Sequence, residues 1–240
     1  MKGIEMSKNI LLMMMGGSGT RFGADIPKQF VELEGKPIFS YIVAKYARLD
    51  EIDAIVIVCH ADWIDYTREW VEREGIEVDT RVVAGGDTRS ESVRNGLIAA
   101  SEFASDDDVV LIHDATHPYV DEENLGAVIE ATKEYGGATL GQCQYDTVYC
   151  FDAETRLLER VIPREQVVSG ASPEAFMFGR IFDIYSNSSI EELQRCTSAG
   201  ALALANGMDM KIIPTNLINL KITYKPDLDV FMKLFRGYYF

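Results

Sequence analysis

Asn9-Ile10-Leu11-Leu12-Met13-Met14-Met15 runs directly into Gly16-Gly17-Ser18-Gly19-Thr20-Arg21-Phe22-Gly23, and Pro27-Lys28-Gln29-Phe30 follows a few residues later. An unbroken apolar run with no polar alternation predicts a strand buried on both faces, the kind found in parallel sheets. The glycines after it let the backbone turn sharply and bring bare N–H groups against an anion, and Arg21 and Lys28 add fixed positive charge. Such a loop suits a triphosphate; the alternative is a plain tight turn. It is not a P-loop, because no Gly-Lys-Ser/Thr follows. Gly17, Gly19 and Gly23 miss the dinucleotide spacing by one residue.

Outward from this stretch the pattern alternates strand and helix. Ile10 to Met15, Ala54 to Cys59, Val109 to Ile112 and Gly137 to Gln142 read as strands, with Arg81 to Ala84 short and extended. Ile38 to Arg48, Asp62 to Glu74, Ser90 to Phe103 and Asn124 to Tyr135 read as helices, and Trp63, Tyr66 and Trp70 fall near helical spacing. Apolar strands separated by helices imply an α/β fold with a Rossmann-like, mostly parallel sheet covered on both faces. Ligands in such sheets lie beyond the carboxyl ends of the strands, so the Gly16 loop and Asp114 should face one crevice. Between Gln144 and Val168 the rhythm breaks. Thr147 to Phe151 and Leu157 to Ile162 flank Asp152-Ala153-Glu154-Thr155-Arg156, a β-hairpin pattern. An isolated ribbon is marginal and an edge liability, so packing against a second subunit is expected. With no repeat or low-complexity linker, residues 1–240 read as one domain with a β-arm at about 144–168.

Composition narrows the function. The chain has 240 residues, 47% of them hydrophobic, and a formal net charge of −15, which argues against nucleic acid or an anionic membrane as partner. Acidic runs at Glu69 to Glu77, Asp106 to Asp108 and Asp121 to Glu123 read as solvated surface. No apolar run approaches the ~20 residues of a membrane span. Residues 1–8 lack a signal peptide's apolar region, which points to a cytoplasmic protein; Met6 is an alternative start. Cys59, Cys143, Cys150 and Cys196 show no metal-ligand spacing and are expected to be reduced, with Cys59 in the core.

Further along stand Gly85-Gly86-Asp87-Thr88-Arg89-Ser90-Glu91-Ser92-Val93-Arg94-Asn95-Gly96-Leu97, His113-Asp114-Ala115-Thr116-His117-Pro118, Asp146-Thr147, Ile162-Pro163-Arg164, Ser172-Pro173-Glu174-Ala175-Phe176 and Asn219-Leu220-Lys221-Ile222-Thr223. With the Gly16 loop, these segments resemble in order the sugar-phosphate nucleotidyltransferases. They are most similar to the cytidylyltransferase branch that contains the methylerythritol phosphate and ribitol phosphate enzymes. The resemblance covers nearly the whole chain and implies transfer of CMP from CTP to an alditol phosphate with loss of pyrophosphate. It places Gly16, Gly17, Gly19, Arg21 and Lys28 on the triphosphate and Lys221 on the α-phosphate. Gly86, Asp87 and Ser92 fall to the cytidine, Ala115 to the ribose, and Asp114 to Mg²⁺. His117 and Ser172 lie at the acceptor end. In that family the arm clasps a twin subunit, so Thr147 and Arg164 would reach the partner's site in a homodimer.

The chemistry is consistent with such residues. A phosphate dianion is already a competent nucleophile, so the protein need only align two polyanions and neutralise growing charge. Mg²⁺ is a hard ion held mostly by substrate oxygens and water, with few protein carboxylates.

Three departures stand out. His117 replaces the Arg of His-Asp-x-x-Arg-Pro, Ala171-Ser172-Pro173-Glu174 replaces Gln-Thr-Pro-Gln, and Cys196-Thr197-Ser198-Ala199 replaces Thr-Asp-Asp/Glu-Ala. The first two touch the substrate-phosphate end; the third removes an acidic group near the metal. The wording around Lys221 and Cys59-His60-Ala61-Asp62-Trp63 resembles the ribitol phosphate branch more than the methylerythritol branch. A nucleotide-binding regulatory protein without turnover is a second class of function. A Rossmann oxidoreductase is a third, although the region that would carry its acidic residue, Phe39 to Tyr46, reads as helix. Arg89 and Arg94 receive no firm role.

Overall fold

The apolar run from Ile10 forms strand β1 (Asn9–Met15), every residue from Ile10 to Met15 buried, in a computed structural model that describes residues 7–16 and 26–240. After a small ribbon, β2 (Glu32–Leu33) and β3 (Lys36–Pro37), come helix α1 (Ile38–Tyr46), strand β4 (Ala54–Cys59), helix α2 (Ile64–Arg73) and strand β5 (Asp79–Ala84). Helix α3 (Arg89–Ser101) then returns the chain across the sheet to β6 (Val109–Asp114). Helix α4 (Glu122–Tyr135) and strand β7 (Gly137–Cys143) follow, and then the arm, β8 (Val148–Phe151) with β9 (Leu158–Ile162). The last part comprises β10 (Val168–Met177), α5 (Phe178–Asn187), α6 (Ile190–Arg195), α7 (Ala199–Ala205), β11 (Lys211–Pro214) and α8 (Lys225–Tyr239).

Seven strands make one sheet in the order β11-β7-β10-β6-β1-β4-β5. Its pairings are parallel except for β10, which runs antiparallel to both β6 and β7. The α/β architecture expected from the sequence is what forms, and the sequence-read elements recur within a few residues. The helix read over Asp62 to Glu74 opens as a 3₁₀ turn, Ala61–Trp63, before α2 proper.

Alternate residues of β1 explain its lack of polar positions. Leu11, Met13 and Met15 face a core shared with α1, α2, α4 and α8, while Ile10, Leu12 and Met14 face a second core shared with α3, α5, α6 and α7. Both faces are covered, so neither can carry a polar residue without a desolvation cost. Two residues depart from the surface assigned to their acidic runs. Asp108 is buried and accepts from the N–H groups of Lys8 (2.7 Å) and Ser105 (2.9 Å). Asp121 is buried as the cap of α4 and also accepts from the Thr215 hydroxyl. A carboxylate that satisfies several donors can be buried where a solvated one cannot.

Topology decides where a ligand can lie. The chain moves outward from β1 to β4 and β5, then returns to β6 on the other side of β1, so the strand order reverses between β1 and β6. Register places Met15 beside Cys59, Cys59 beside Ala84, and Met14 beside Asp114. The carboxyl ends of four parallel strands therefore share one edge, and the loops after β1, β5 and β6 open onto it.

Candidate active site

Gly85 and Gly86 leave β5 at this edge, and Gly85 N–H donates to the carbonyl of Cys59 (2.7 Å). Thr88 then caps α3 in a reciprocal box. Its hydroxyl accepts from Glu91 N–H (3.2 Å), and the Glu91 carboxylate accepts from Thr88 N–H (2.9 Å). Ser92, one turn into α3, points back at the loop. Its hydroxyl donates to the Thr88 carbonyl (2.9 Å) and accepts from Gly86 N–H (3.1 Å). A Cβ at Gly16 or at Gly85 would come within 2.7 Å of the Ser92 oxygen, so glycine at both positions is a packing requirement. The Ser92 side chain therefore sits against this loop. Its hydroxyl is buried and bonded within the loop, so it braces the pocket backbone. Asp87 is exposed at the rim, and Ala115 is buried with its N–H on the Met14 carbonyl (3.0 Å).

Lys28 begins a 3₁₀ turn, Lys28–Phe30, that is fastened at two points. Gln29 Nε2 donates to the Met15 carbonyl at the end of β1 (2.7 Å). Phe30 stacks on Trp63 (4.1 Å between centroids, 14°) and meets Phe39 and Tyr66 edge-on. The aromatic spacing noticed around Trp63 thus anchors the segment that carries Lys28. Gly17, Gly19 and Arg21 lie outside the described residues.

The end of β6 is the chemical centre. Arg89 Nε (3.1 Å) and Nη2 (2.9 Å) both meet Oδ1 of Asp114, and Lys221 Nζ meets Oδ2 (3.0 Å). Burial alone would raise the Asp114 pKa, but the two cations outweigh it and hold the carboxyl well below the usual carboxylate range. Lys221 arrives on a segment without strand structure. Buried Ile222 donates its N–H to the Thr116 carbonyl (2.8 Å), and Asn219 donates to the Gly170 carbonyl (3.0 Å). Beneath them lies His113, wholly buried, with Nε2 on the His117 carbonyl (2.8 Å) and Nδ1 on the Tyr46 hydroxyl (2.9 Å). A carbonyl only accepts, so Nε2 carries the proton and Nδ1 accepts from Tyr46. Burial pushes His113 down to about 4.

The first two departures touch each other: His117 Nδ1 and the Ser172 hydroxyl are 2.6 Å apart. Burial, with Lys221 charge nearby, pushes His117 down to about 3. A neutral imidazole–hydroxyl pair therefore stands where a guanidinium is usual, suited to reading hydroxyl groups. Thr147 and Arg164 are exposed on the arm, and Arg164 Nη1 donates to the Tyr145 carbonyl (2.8 Å). Cross-strand pairs Tyr149–Val161 and Phe151–Leu158 leave these four side chains 49–66% exposed.

Among the described residues Asp114 is the carboxylate that meets both Arg89 and Lys221. Among the described residues no group of three or more His, Cys, Asp or Glu side chains could hold a metal ion. A lone carboxylate between two cations fits Mg²⁺ only as an ion brought in and held mainly by phosphate oxygens. Arg89 and Glu174 were named in the sequence without a role, and His113 and Tyr46 were given none. Arg89, His113 and Glu174 sit inside the quoted motifs, and Tyr46 does not.

Residues 10–234 match the family described as IspD: 2-C-methyl-D-erythritol 4-phosphate cytidylyltransferase. A ribitol-5-phosphate cytidylyltransferase of Streptococcus agalactiae serotype Ia is 33% identical over 228 residues, covering 95% of each chain. A 2-C-methyl-D-erythritol 4-phosphate cytidylyltransferase of Clostridium botulinum is 34% identical over 218 residues, covering 90% of this chain and 94% of that one. The crystal structure of a 4-diphosphocytidyl-2C-methyl-D-erythritol synthase from Anaerococcus prevotii shares the fold, with a TM-score of 0.80 at 23% identity over 96% of both chains. On the family match and these relatives together, the chain belongs to the IspD family of cytidylyltransferases.

Proposed function

We propose that the protein transfers CMP from CTP to an alditol phosphate, ribitol 5-phosphate in preference, releasing pyrophosphate. The observation that carries this is the meeting of Lys221, Asp114 and Arg89 at the strand-end crevice onto which the Gly16 and Gly85–Asp87 loops also open. An acceptor phosphate oxygen attacks the α-phosphorus, forming a new P–O bond as the bond to the β-phosphate oxygen breaks. Lys221 and Lys28, with Arg21, neutralise charge that builds on the phosphorus and on the departing pyrophosphate. The Gly85–Asp87 loop, braced by Ser92, would form the base pocket and select a pyrimidine over a purine by size. Asp114 would hold Mg²⁺, which when bound supplies further neutralisation of the triphosphate.

At the acceptor end, the His117–Ser172 pair hydrogen-bonds alditol hydroxyls. Arm exchange in a homodimer would bring Thr147 and Arg164 to the partner's acceptor phosphate. The exposed apolar face of β8 and β9 supports that pairing. Among the described residues no helix is long and apolar enough to cross a membrane; the use of CTP favours the cytoplasm.

A second acceptor, 2-C-methyl-D-erythritol 4-phosphate, is favoured by the 34%-identical Clostridium botulinum relative of that name. Pyrophosphate release with CTP and Mg²⁺ across ribitol, glycerol, xylitol, erythritol and methylerythritol phosphates separates the two. Ribitol 5-phosphate is expected to give the highest kcat/KM. Tight CTP binding with no release from any acceptor would refute turnover and leave a nucleotide-binding protein.

A further inference from the structure

Arg89 opens α3 directly after the Gly85–Asp87 loop, and the contacts proposed above give it no substrate to touch. Its two nitrogens converge on a single oxygen of Asp114, leaving the other oxygen to Lys221. Its Nη2 also lies 3.9 Å from Oε2 of Glu174 on β10. Glu174 is fixed in turn, because Oε1 accepts from Gly200 N–H at the start of α7 (3.0 Å). A side chain at position 200 would place Cβ 2.6 Å from that oxygen, so glycine makes the room. Thr197–Ser198 lacks the acidic group usual in the family pattern, and Glu174 stands where that pattern has Gln. In space Glu174 on β10 places a carboxylate at the beginning of α7, next in the chain to that segment. The third departure therefore leaves the site with its negative charge.

We propose that Arg89, with Glu174 as its second counter-charge, is the positioning residue of the site: it fixes Asp114 through Oδ1 and thereby sets where Lys221 stands at Oδ2. The proposal rests on the reading of this crevice as a site of CMP transfer. A planar guanidinium presents two donors in fixed relation, which a lysine ammonium cannot copy. Because Arg89 follows the base-reading loop without a break, it also ties the nucleotide end of the crevice to the phosphate end.

The test compares Arg89→Ala, Arg89→Lys and Glu174→Gln with wild type by pyrophosphate release, by calorimetric CTP affinity and by Tm. Arg89→Ala should lose roughly 100-fold in kcat with CTP affinity changed no more than about 2-fold. Arg89→Lys should recover only part of the loss. Glu174→Gln should cost about 3- to 10-fold. Millimolar guanidinium should restore part of the Arg89→Ala turnover, and methylammonium at equal ionic strength should not. Arg94→Ala is the structural comparison. Its guanidinium holds the carbonyls of Tyr185 (3.2 Å) and Ser188 (2.7 Å), so its loss should lower Tm while kcat stays within about 2-fold. An Arg89→Ala kcat within about 3-fold of wild type, or a loss that tracks Tm and CTP affinity without guanidinium rescue, would overturn the proposal. Wild-type turnover separately decides the reading of function. Were it absent for every acceptor, a double-mutant cycle on Tm still tests the clamp: Arg89→Ala with Asp114→Asn should cost no more than the worse single change. Additive losses would refute it.

Discussion

His113 gives a stability prediction whose size follows from its surroundings. Its imidazole is wholly buried, with Nε2 donating to the His117 carbonyl and Nδ1 accepting from Tyr46. An unfolded histidine takes up its proton near pH 6.5, whereas burial delays that uptake in the fold to about 4. Between those values the unfolded chain holds more protons, so acid favours unfolding. The contribution is fully present above pH 6.5 and fades as pH falls toward 4, at most about 1.4 kcal/mol per pH unit. Summed from pH 7.5 to 4.5, the loss is about 2.5 kcal/mol. His113→Gln keeps an N–H for the His117 carbonyl and removes the titration, but strands the Tyr46 hydroxyl. It should be less stable than wild type at pH 7.5 by about 1–3 kcal/mol, the cost of an unpaired buried hydroxyl. That gap should close by about 2.5 kcal/mol on acidification to pH 4.5. Urea unfolding of both proteins across this range measures it, and effects from carboxylates common to both cancel. A gap that stays constant with pH would show that His113 does not titrate as a buried neutral group.

Lys221→Ala and Lys28→Ala should each lower kcat/KM by at least ~100-fold with the fold intact, because each removes a cation from growing transition-state charge. Near-normal turnover in steady-state assays would remove that lysine from the mechanism. Gly85→Ala brings a methyl to 2.7 Å from the Ser92 hydroxyl and should weaken CTP binding by about 10-fold or more in calorimetry; unchanged affinity would detach this loop from nucleotide recognition. Leu158→Asp places a carboxylate on the exposed apolar face of the arm and should shift sedimentation equilibrium toward monomer, with kcat falling in parallel. Sedimentation identical to wild type would mean that nothing covers that face.

The sheet was legible wherever both faces of a strand are buried, because β1, β4 and β6 can carry almost nothing polar there. β10 was not. It crosses the sheet antiparallel with Pro173 inside it, and proline removes a ladder donor that a central strand normally needs. The register shift between Ala171 and Glu174 accommodates it, and a one-dimensional pattern carries no trace of such a shift. At the site, Asp114 and Lys221 were found by motif, and the structure brings them to 3.0 Å. Arg89, Glu174 and Tyr46 were missed for a different reason. Each acts through a neighbour distant in sequence, on β6, α7 and β6 respectively. Ser92 was found by motif, and the structure adds that its hydroxyl engages the loop backbone, which spacing alone does not show.

A chain of net charge −15 that handles polyanions poses an electrostatic problem, and the fold answers it locally. Exposed acids act through solvent, where screening sets in beyond about 8 Å at physiological ionic strength. Asp108 and Asp121, which the sequence leaves among the surface acids, are buried and engaged with backbone N–H and hydroxyl donors, so their charge is met where it stands. At the crevice the carboxylates are matched by cations in equal number. Arg89 and Lys221 converge on Asp114, with Glu174 behind, and the two carboxylates are the better shielded members of the group. Pairing costs the site little of its attraction for phosphate, because a half-exposed Lys221 retains donors beyond the one given to Asp114. It also keeps that ammonium from wandering over an acidic surface that would compete for it. Net charge thus describes the protein's solubility, while the field that a triphosphate meets is set by a few side chains whose positions the strand ends dictate.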